Sequence, residues 1–153
     1  MLQKILITRK NLKTASEMKK HYLVDTNVII DMLLDREDAD AACAVFDGAE
    51  RGEYYLHICA LSFTTLFYSL RKILSREERI SALSQLKEAM EVAYVGSAVI
   101  DMALKSGWKD FEDAVQNFSA VADPQITAII TRNTKDFENS SLEVIDSVEF
   151  LSA

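Results

Sequence analysis

Short runs of apolar and β-branched residues alternate with longer segments of helical periodicity from residue 21 to the C-terminal end of this 153-residue chain. The apolar runs predict strands at 21–24, 54–58, 92–95, 126–131 and 142–145. Helices are predicted between them at 27–34, 38–51, 60–74, 75–90, 97–105 and 110–122, with a last turn at 147–151. Strands that alternate with helices form parallel βαβ units. The sequence therefore predicts an α/β fold, a three-layer α/β/α sandwich with a central, mainly parallel sheet.

Two of the predicted helices have well-defined apolar faces. The helix at 60–74 is predicted to bury Phe63, Leu66, Phe67, Leu70, Ile73 and Leu74. The helix at 110–122 is predicted to bury Phe111, Ala114, Val115, Phe118, Val121 and Ala122, with a polar stripe of Asp110, Asp113 and Asn117 beside that face.

Composition indicates a single ordered domain. Apolar residues make up 49% of the chain, and one proline with four glycines argues against disorder. Cys43 and Cys59 lie in apolar segments without metal-binding spacing, which predicts buried, reduced thiols and a cytoplasmic protein. The apolar runs are too short to span a bilayer, and the first residues lack the features of a signal peptide. We therefore expect no membrane association.

Charge separates the first residues from the rest of the chain. Residues 1–20 carry a net charge of +5 and residues 21–153 carry −12, which together give the net charge of −7. Met18 precedes two lysines and the first predicted strand. We therefore interpret residues 1–17 as an N-terminal extension, not native or disordered, ahead of a single domain at 18–153. The alternative is a basic arm that binds RNA or a partner. The acidic body predicts weak nonspecific binding of nucleic acid, because phosphate neutralisation supplies most of that affinity.

Oxygen-bearing side chains follow two of the predicted strands and open one of the helices. Asp25 directly follows the strand at 21–24, Asp110 and Asp113 begin the helix at 110–122, and Asn133 and Asp136 follow the strand at 126–131. In open α/β sheets, ligands bind in the crevice beyond the carboxyl ends of the strands, so we expect these groups to converge. Converging carboxylates repel one another unless a cation is present, and Mg²⁺ and Mn²⁺ prefer oxygen ligands. The pattern predicts a divalent-metal site.

Each acid also has a local explanation that needs no metal. Asp25 is a good N-cap residue for the helix that follows it. Asp110 as an N-cap and Asp113 in the first turn would be favoured by the helix dipole alone. Asp136 is a candidate cap for a turn, and Asp31, further along the first helix, is predicted to face solvent.

Three segments of the chain resemble, in order, the motifs of the PIN-domain ribonucleases. They are VDTNVIID at 24–31, DFEDA at 110–114 and TRNTKDF at 131–137. The family includes the VapC-like toxins of prokaryotic toxin–antitoxin pairs. The resemblance implies a PIN-like fold, Mg²⁺ or Mn²⁺ as cofactor, and a site built on Asp25, Asp113 and Asn133, with Asp110 and Asp136 as further ligands. Asn133 stands where many members have aspartate, so it supplies a neutral oxygen.

The chain departs from the family pattern in the helix at 60–74. PIN enzymes usually place a glutamate, in some branches an asparagine, on the inner side of this helix, and the corresponding residue here is Thr65. No acidic residue occurs between positions 53 and 77. A hydroxyl group orients a water molecule but carries no charge, so we assign Thr65 a secondary catalytic role. Arg71, Lys72 and Arg132 are candidates for phosphate contacts, with simple surface exposure as the alternative.

These observations predict a metal-dependent ribonuclease that hydrolyses phosphodiester bonds in RNA. The resemblance further implies the toxin of a toxin–antitoxin pair, with an antitoxin protein as partner and a homodimer as assembly. The alternative is a catalytically weak PIN-like scaffold that binds RNA or a protein, which Thr65, Asn133 and the acidic body favour. A phosphoryl-transfer enzyme of another doubly wound family would rest on Asp25 alone, because the chain lacks a glycine-rich phosphate loop.

The position of Thr65 generates a first prediction. Thr65→Glu would add a carboxylate beside a divalent ion, and opposite charges in a partly dehydrated cleft attract more strongly than in water. We expect Mn²⁺ to bind roughly tenfold more tightly, or by about 1.4 kcal/mol, in isothermal titration calorimetry. An unchanged affinity would show that Thr65 points elsewhere and that the alignment of this helix with the family pattern is wrong.

Overall fold

A five-stranded sheet forms the centre of the computed structural model, which describes residues 19–152; the proposed extension at 1–17 lies outside them. The strands are β1 (His21–Val24), β2 (Tyr55–Cys59), β3 (Glu91–Ala93), β4 (Ile126–Thr131) and β5 (Glu143–Asp146). Their order is β3-β2-β1-β4-β5, and every neighbouring pair is parallel. The predicted strands are confirmed to within a few residues, and the predicted α/β class is confirmed.

Seven α-helices connect and cover these strands within the described residues. They are α1 (Thr26–Leu34), α2 (Ala39–Glu50), α3 (Ser62–Ser69), α4 (Arg76–Ala89), α5 (Ser97–Lys105), α6 (Phe111–Ala122) and α7 (Ser147–Phe150). Ser75 and Glu78 form a capping box at the start of α4. None of the helices between residues 19 and 152 combines the length and the hydropathy needed to cross a bilayer.

The core has two layers, one on each face of the sheet. Tyr22 and Val24 of β1 pack into the cluster beneath α1, α2, α3 and α4, whereas Leu23 packs into the cluster beneath α5 and α6. This alternation follows from the two-residue period of a strand. Cys59 is buried in the second cluster, Cys43 is partly buried beside the first, and neither forms a disulfide.

The predicted helix over 60–74 is shorter than its periodicity suggests. The α-helix ends at Ser69 and continues as a 3₁₀ turn at Leu70–Lys72. A 3₁₀ turn has three residues per turn instead of 3.6, so the apolar stripe loses its alignment. Leu66 and Leu70 are fully buried, but Ile73, which was predicted to be in the core, is 62% exposed.

Helix α6 buries a different face from the one that apolar periodicity predicts. Its buried residues are Ala114, Val115, Gln116, Asn117, Ser119 and Ala120, whereas Phe111 is 47% exposed. The small residues on this face allow a close approach to the sheet, and the buried polar groups are hydrogen-bonded. Asn117 Oδ1, for example, accepts a hydrogen bond of 2.5 Å from the Ser140 hydroxyl. The helix is therefore oriented by polar contacts as well as by apolar burial.

The central position of β1 generates a second prediction. Leu23→Ala should lower the free energy of unfolding by about 2–5 kcal/mol, because a fully buried side chain between two sheet neighbours leaves a cavity. The same substitution at Leu104, which is 67% exposed on α5, should change it by less than about 0.5 kcal/mol. Urea denaturation of both variants tests the difference, and equal losses would contradict the assigned core.

Candidate metal site

The candidate site lies at the carboxyl edge of the sheet, between β1 and β4. Asp25 directly follows β1, and Thr131 is the last residue of β4. The backbone N–H of Asp25 donates to the Ile130 carbonyl at 2.9 Å, which ties the strand end to its neighbour. The connection after β1 runs to β2 on one side, and the connection after β4 runs to β5 on the other. Such a switch point opens a crevice between two neighbouring strands of a parallel sheet.

Asp25 is a buried carboxylate whose two oxygens are both hydrogen-bonded. Its side chain and backbone together are only 2% exposed. Oδ2 accepts from the Thr131 hydroxyl at 2.8 Å, and Oδ1 accepts from the Gln116 amide at 3.1 Å. The Asn27 N–H approaches Oδ1 at 3.4 Å, so Asp25 is also the N-cap of α1. Burial raises the pKa of Asp25, while these hydrogen bonds act in the opposite direction.

Gln116 connects the two principal acids, and sequence reasoning missed it. Its Nε2 donates to Asp25 Oδ1 at 3.1 Å and reaches Asp113 Oδ1 at 3.5 Å. Its Oε1 accepts from the backbone N–H of Thr26 at 3.0 Å and from the hydroxyl of the same residue at 3.1 Å. One side chain thus fixes α6 against α1. The available signal was its spacing, since Gln116 lies three residues after Asp113 on the same face.

The pKa of Asp113 is strongly raised. Burial is the largest cause and raises its pKa, and the nearby carboxylates of Asp25, Asp110, Asp136 and Glu112 raise it further, to about 7. Each neighbour disfavours a further negative charge in this partly enclosed cluster. A cation placed among these groups would remove that penalty.

The remaining predicted site residues lie around this pair. Asp110 is exposed and accepts from the Asp113 N–H at 3.0 Å, so it is the N-cap of α6 as the local explanation required. The Asn133 N–H donates to the Thr131 hydroxyl at 3.1 Å. Its side-chain amide donates to Asp136 Oδ2 at 2.7 Å, and Asp136 is close enough to raise the pKa of both Asp25 and Asp113.

Thr65 and Glu112 meet on the α3 side of the crevice. The Thr65 hydroxyl donates to the Leu61 carbonyl at 3.4 Å. Burial raises the pKa of Glu112, and the hydroxyls of Thr26 and Thr65 act in the opposite direction. Glu112, in the first turn of α6, was not among the predicted site residues.

Asp31 corrects one expectation. It was predicted to face solvent, but it is 1% exposed, and its Oδ1 accepts a 2.7 Å hydrogen bond from Arg132. Arg36 lies 4.0 Å from the same oxygen. The Asp31–Arg132 ion pair joins α1 to the segment after β4. Arg132, a candidate for phosphate contacts, therefore also neutralises a buried acid.

The two histidines lie away from this site, towards the opposite end of the sheet. His21 opens β1, and its Nδ1 is 2.8 Å from His57 Nε2. His57 Nδ1 is 3.9 Å from Asp123, the residue that caps the C-terminal end of α6.

The donor set fits a hard divalent cation. Every candidate ligand offers oxygen, which Mg²⁺ and Mn²⁺ prefer over nitrogen or sulfur. Between residues 19 and 152, no group of three His, Cys, Asp or Glu side chains is arranged to hold a metal ion. Mg²⁺ keeps several waters and uses one or two carboxylates, so Asp25 and Asp113, bridged by Gln116, are a sufficient protein contribution. Cation binding would also relieve the repulsion that raises the pKa of Asp113.

Comparison with known proteins agrees with this architecture. The family model described as PIN domain matches residues 21–135. No curated protein matches the sequence significantly.

Three solved structures share the fold. VapBC2 from Rickettsia felis, bound to a DNA fragment from its promoter, has 15% identity, covers 82% of this chain and 98% of its own, and gives a TM-score of 0.65. VapBC-1 from nontypeable Haemophilus influenzae has 20% identity, coverages of 83% and 98%, and a TM-score of 0.63. DNA-bound VapBC from Salmonella typhimurium has 18% identity, coverages of 85% and 99%, and a TM-score of 0.59. At these identities, the similarity establishes the fold.

The raised pKa of Asp113 generates a third prediction. A carboxylate whose folded-state pKa lies above its unfolded value of about 3.9 stabilises the fold at low pH. That contribution disappears as the pH rises through the folded value of about 7. In EDTA, Asp113→Asn should therefore be more stable than the wild type at pH 8, and the difference should shrink at pH 5. Denaturant titration at both pH values measures this effect. Asp101→Asn, on the exposed side of α5, is the matched control, and an identical response in both variants would contradict the assignment.

Proposed function

The chain belongs to the PIN-domain family, and we propose that it is a Mg²⁺- or Mn²⁺-dependent endoribonuclease that acts as the toxin of a toxin–antitoxin pair. The observation that carries this proposal is the pair of carboxylates at the sheet crevice, Asp25 and Asp113, connected by the Gln116 amide. This pair of one buried and one half-buried carboxyl group is costly for the fold alone, because several acidic groups share a partly dehydrated space.

Asp25 and Asp113 would hold the ion, with Asn133, Asp136 and Asp110 contributing further oxygens around it. A bound divalent ion lowers the pKa of a water ligand and stabilises negative charge on the scissile phosphate. Thr131 and Gln116 keep the Asp25 carboxylate in one orientation. That preorganisation matters because a catalytic group already in place needs no reorganisation during the reaction. The Thr65 hydroxyl is assigned a secondary role in orienting water or substrate at the α3 side.

RNA binding would depend on local cationic groups, because the body of the chain is acidic. Arg132 retains 39% exposure of its side chain while it neutralises Asp31. Arg71 stacks on the exposed ring of Tyr68, with its guanidinium carbon 3.6 Å from the ring centroid. An exposed aromatic ring next to a guanidinium suits single-stranded RNA, whose bases stack and whose phosphates need positive charge.

The structural neighbours support the proposed partner. All three structures described above are of VapBC, and the fold of this chain matches one chain of each over almost its whole length. This similarity supports an antitoxin protein as partner, and the homodimer is proposed from the resemblance to the family. The buried thiol of Cys59 supports a cytoplasmic location, where thiols stay reduced.

One observation favours the second candidate function, a catalytically weak scaffold that binds RNA or a protein. The side-chain amide of Asn133 donates a hydrogen bond to Asp136, so two of the candidate metal ligands are bonded to each other. Isothermal titration calorimetry with Mn²⁺ separates the two functions. Saturable binding in the millimolar range or below supports the enzyme, and its absence supports the scaffold.

The enzyme hypothesis generates a fourth prediction. Asp25→Asn should abolish Mn²⁺-stimulated cleavage of single-stranded RNA, because it removes the charge of the most buried ligand while preserving its shape. Asp47→Asn, on the exposed side of α2, should retain wild-type activity and serves as the matched control. Cleavage is measured on a fluorescently labelled RNA with and without EDTA. Full activity in purified Asp25→Asn would refute the proposed function.

A further inference from the structure

The ion pair between Asp31 and Arg132 adjoins the proposed metal site. Arg132 directly follows Thr131, whose hydroxyl bonds Asp25 Oδ2, and Asp31 lies in α1, the helix that Asp25 caps. Asp31 comes five positions after Thr26, the first residue of α1, which corresponds to a rise of roughly 8 Å along the helix. The two elements that meet at the buried carboxyl group of Asp25 therefore also hold this ion pair beside the crevice.

The Arg132 guanidinium is anchored through one N–H group and keeps its other donors for a ligand. Nη1 donates to Asp31 Oδ1 at 2.7 Å, the short distance of a charge-assisted hydrogen bond. A guanidinium carries five N–H donors in a rigid planar fork. Among residues 19–152, Asp31 is the only residue that accepts a hydrogen bond from this side chain, which is 39% exposed. The remaining donors are therefore available to a ligand from a fixed position.

The fold alone gains little from this ion pair. Asp31 is 1% exposed, and its second oxygen, Oδ2, is buried without a hydrogen-bond partner in the described part of the chain. A buried ion pair is often no more stabilising than apolar side chains of similar volume, because desolvation offsets the attraction. Arg36 lies 4.0 Å from Asp31 Oδ1, which is too far for a hydrogen bond. A half-satisfied buried acid that fixes a partly exposed cation therefore suits a binding role.

We propose that Asp31 is a positioning residue for RNA binding, which holds the Arg132 guanidinium beside the crevice so that it contacts a phosphate next to the scissile one. A guanidinium suits this contact because its fork matches two phosphate oxygens. The inference rests on the proposed ribonuclease function. It gives the acidic body of the chain a fixed cationic contact for a polyanion, whose phosphates supply most of the binding affinity.

The first test uses a substitution for which positioning and net charge predict opposite results. Asp31→Asn removes a negative charge, which by itself would strengthen RNA binding. If Asp31 positions Arg132, the same variant should instead bind single-stranded RNA about fivefold more weakly, because a charged hydrogen bond is misplaced. The matched control is Asp35→Asn, since Asp35 is exposed, ends α1 and has a φ of 52°, which asparagine tolerates. Its affinity should equal or slightly exceed that of the wild type.

Binding is measured by fluorescence anisotropy of a labelled RNA at several salt concentrations. The buffer contains Ca²⁺, which takes oxygen ligands as Mg²⁺ does, and gel electrophoresis checks that the RNA stays intact. Arg132→Gln should also weaken binding, and it should reduce the slope of log K against log salt concentration by about 0.7, the value for one phosphate of a single strand. In the Arg132→Gln background, Asp31→Asn should cause no further loss, because its effect passes through Arg132.

A purely structural ion pair would give a different pattern. Asp31→Asn would then lower the free energy of unfolding in urea and leave the RNA affinity unchanged. Wild-type or stronger RNA affinity in folded Asp31→Asn, or additive losses in the double variant, would overturn the proposal. Should Asp31→Asn not fold, Arg132→Lys keeps the charge but loses the fork. Weaker binding by that variant with an unchanged salt slope supports the positioned contact, and wild-type affinity refutes it.

The wild-type chain separates this inference from the function on which it rests. RNA binding without Mn²⁺-dependent cleavage would refute the proposed enzyme, while the comparison of Asp31→Asn with Asp35→Asn would still decide the positioning role. A wild-type chain that binds no RNA would refute both. If cleavage is observed, Asp31→Asn should raise KM and leave kcat nearly unchanged, because the lost contact is made equally in the ground and transition states.

Discussion

The structure depends on accommodating a carboxyl group that is buried at the end of its central strand. Asp25 is almost fully enclosed, and an uncompensated buried charge would be expensive. The fold surrounds it with donors from two separate elements, the Thr131 hydroxyl of β4 and the Gln116 amide of α6. Because these donors come from residues about ninety to a hundred positions away, Asp25 constrains the mutual placement of β1, β4 and α6.

The orientation of α6 is best understood through this constraint. A helix oriented by apolar periodicity alone would bury Phe111 and expose Gln116. The observed rotation exposes the aromatic ring and buries the amide, which then bonds Asp25 and Thr26 together. An unsatisfied buried carboxylate costs more than a half-exposed aromatic ring, so the polar contacts decide the rotation.

Because polar contacts between distant residues override local periodicity, only part of the structure could be predicted from the sequence. The strands and the parallel sheet follow from local patterns, which are encoded within a few residues. Asp25, Asp113 and Asn133 were predicted as site residues because they stand at or near element ends and match a family motif. Gln116 was missed because its role depends on a partner in a distant strand, and local periodicity carries no information about such a pair. Asp31 was misplaced for the same reason, since its partner Arg132 lies on another element.

The charge balance of the proposed site follows from the number of carboxyl groups in this region. There are five, those of Asp25, Asp110, Glu112, Asp113 and Asp136. One divalent cation neutralises two negative charges, so three would remain if every acid were ionised. Solvent partly screens the charges of the exposed acids, and it screens the buried ones much less. The pKa of the half-buried Asp113 is accordingly raised to about 7. Near neutral pH, Asp113 is therefore protonated in a fraction of the molecules, and cation binding must displace that proton. In the proposed enzyme, metal binding, proton release and folding stability are consequently coupled to one another. The balance among them is set by how many carboxylates the fold brings to the crevice.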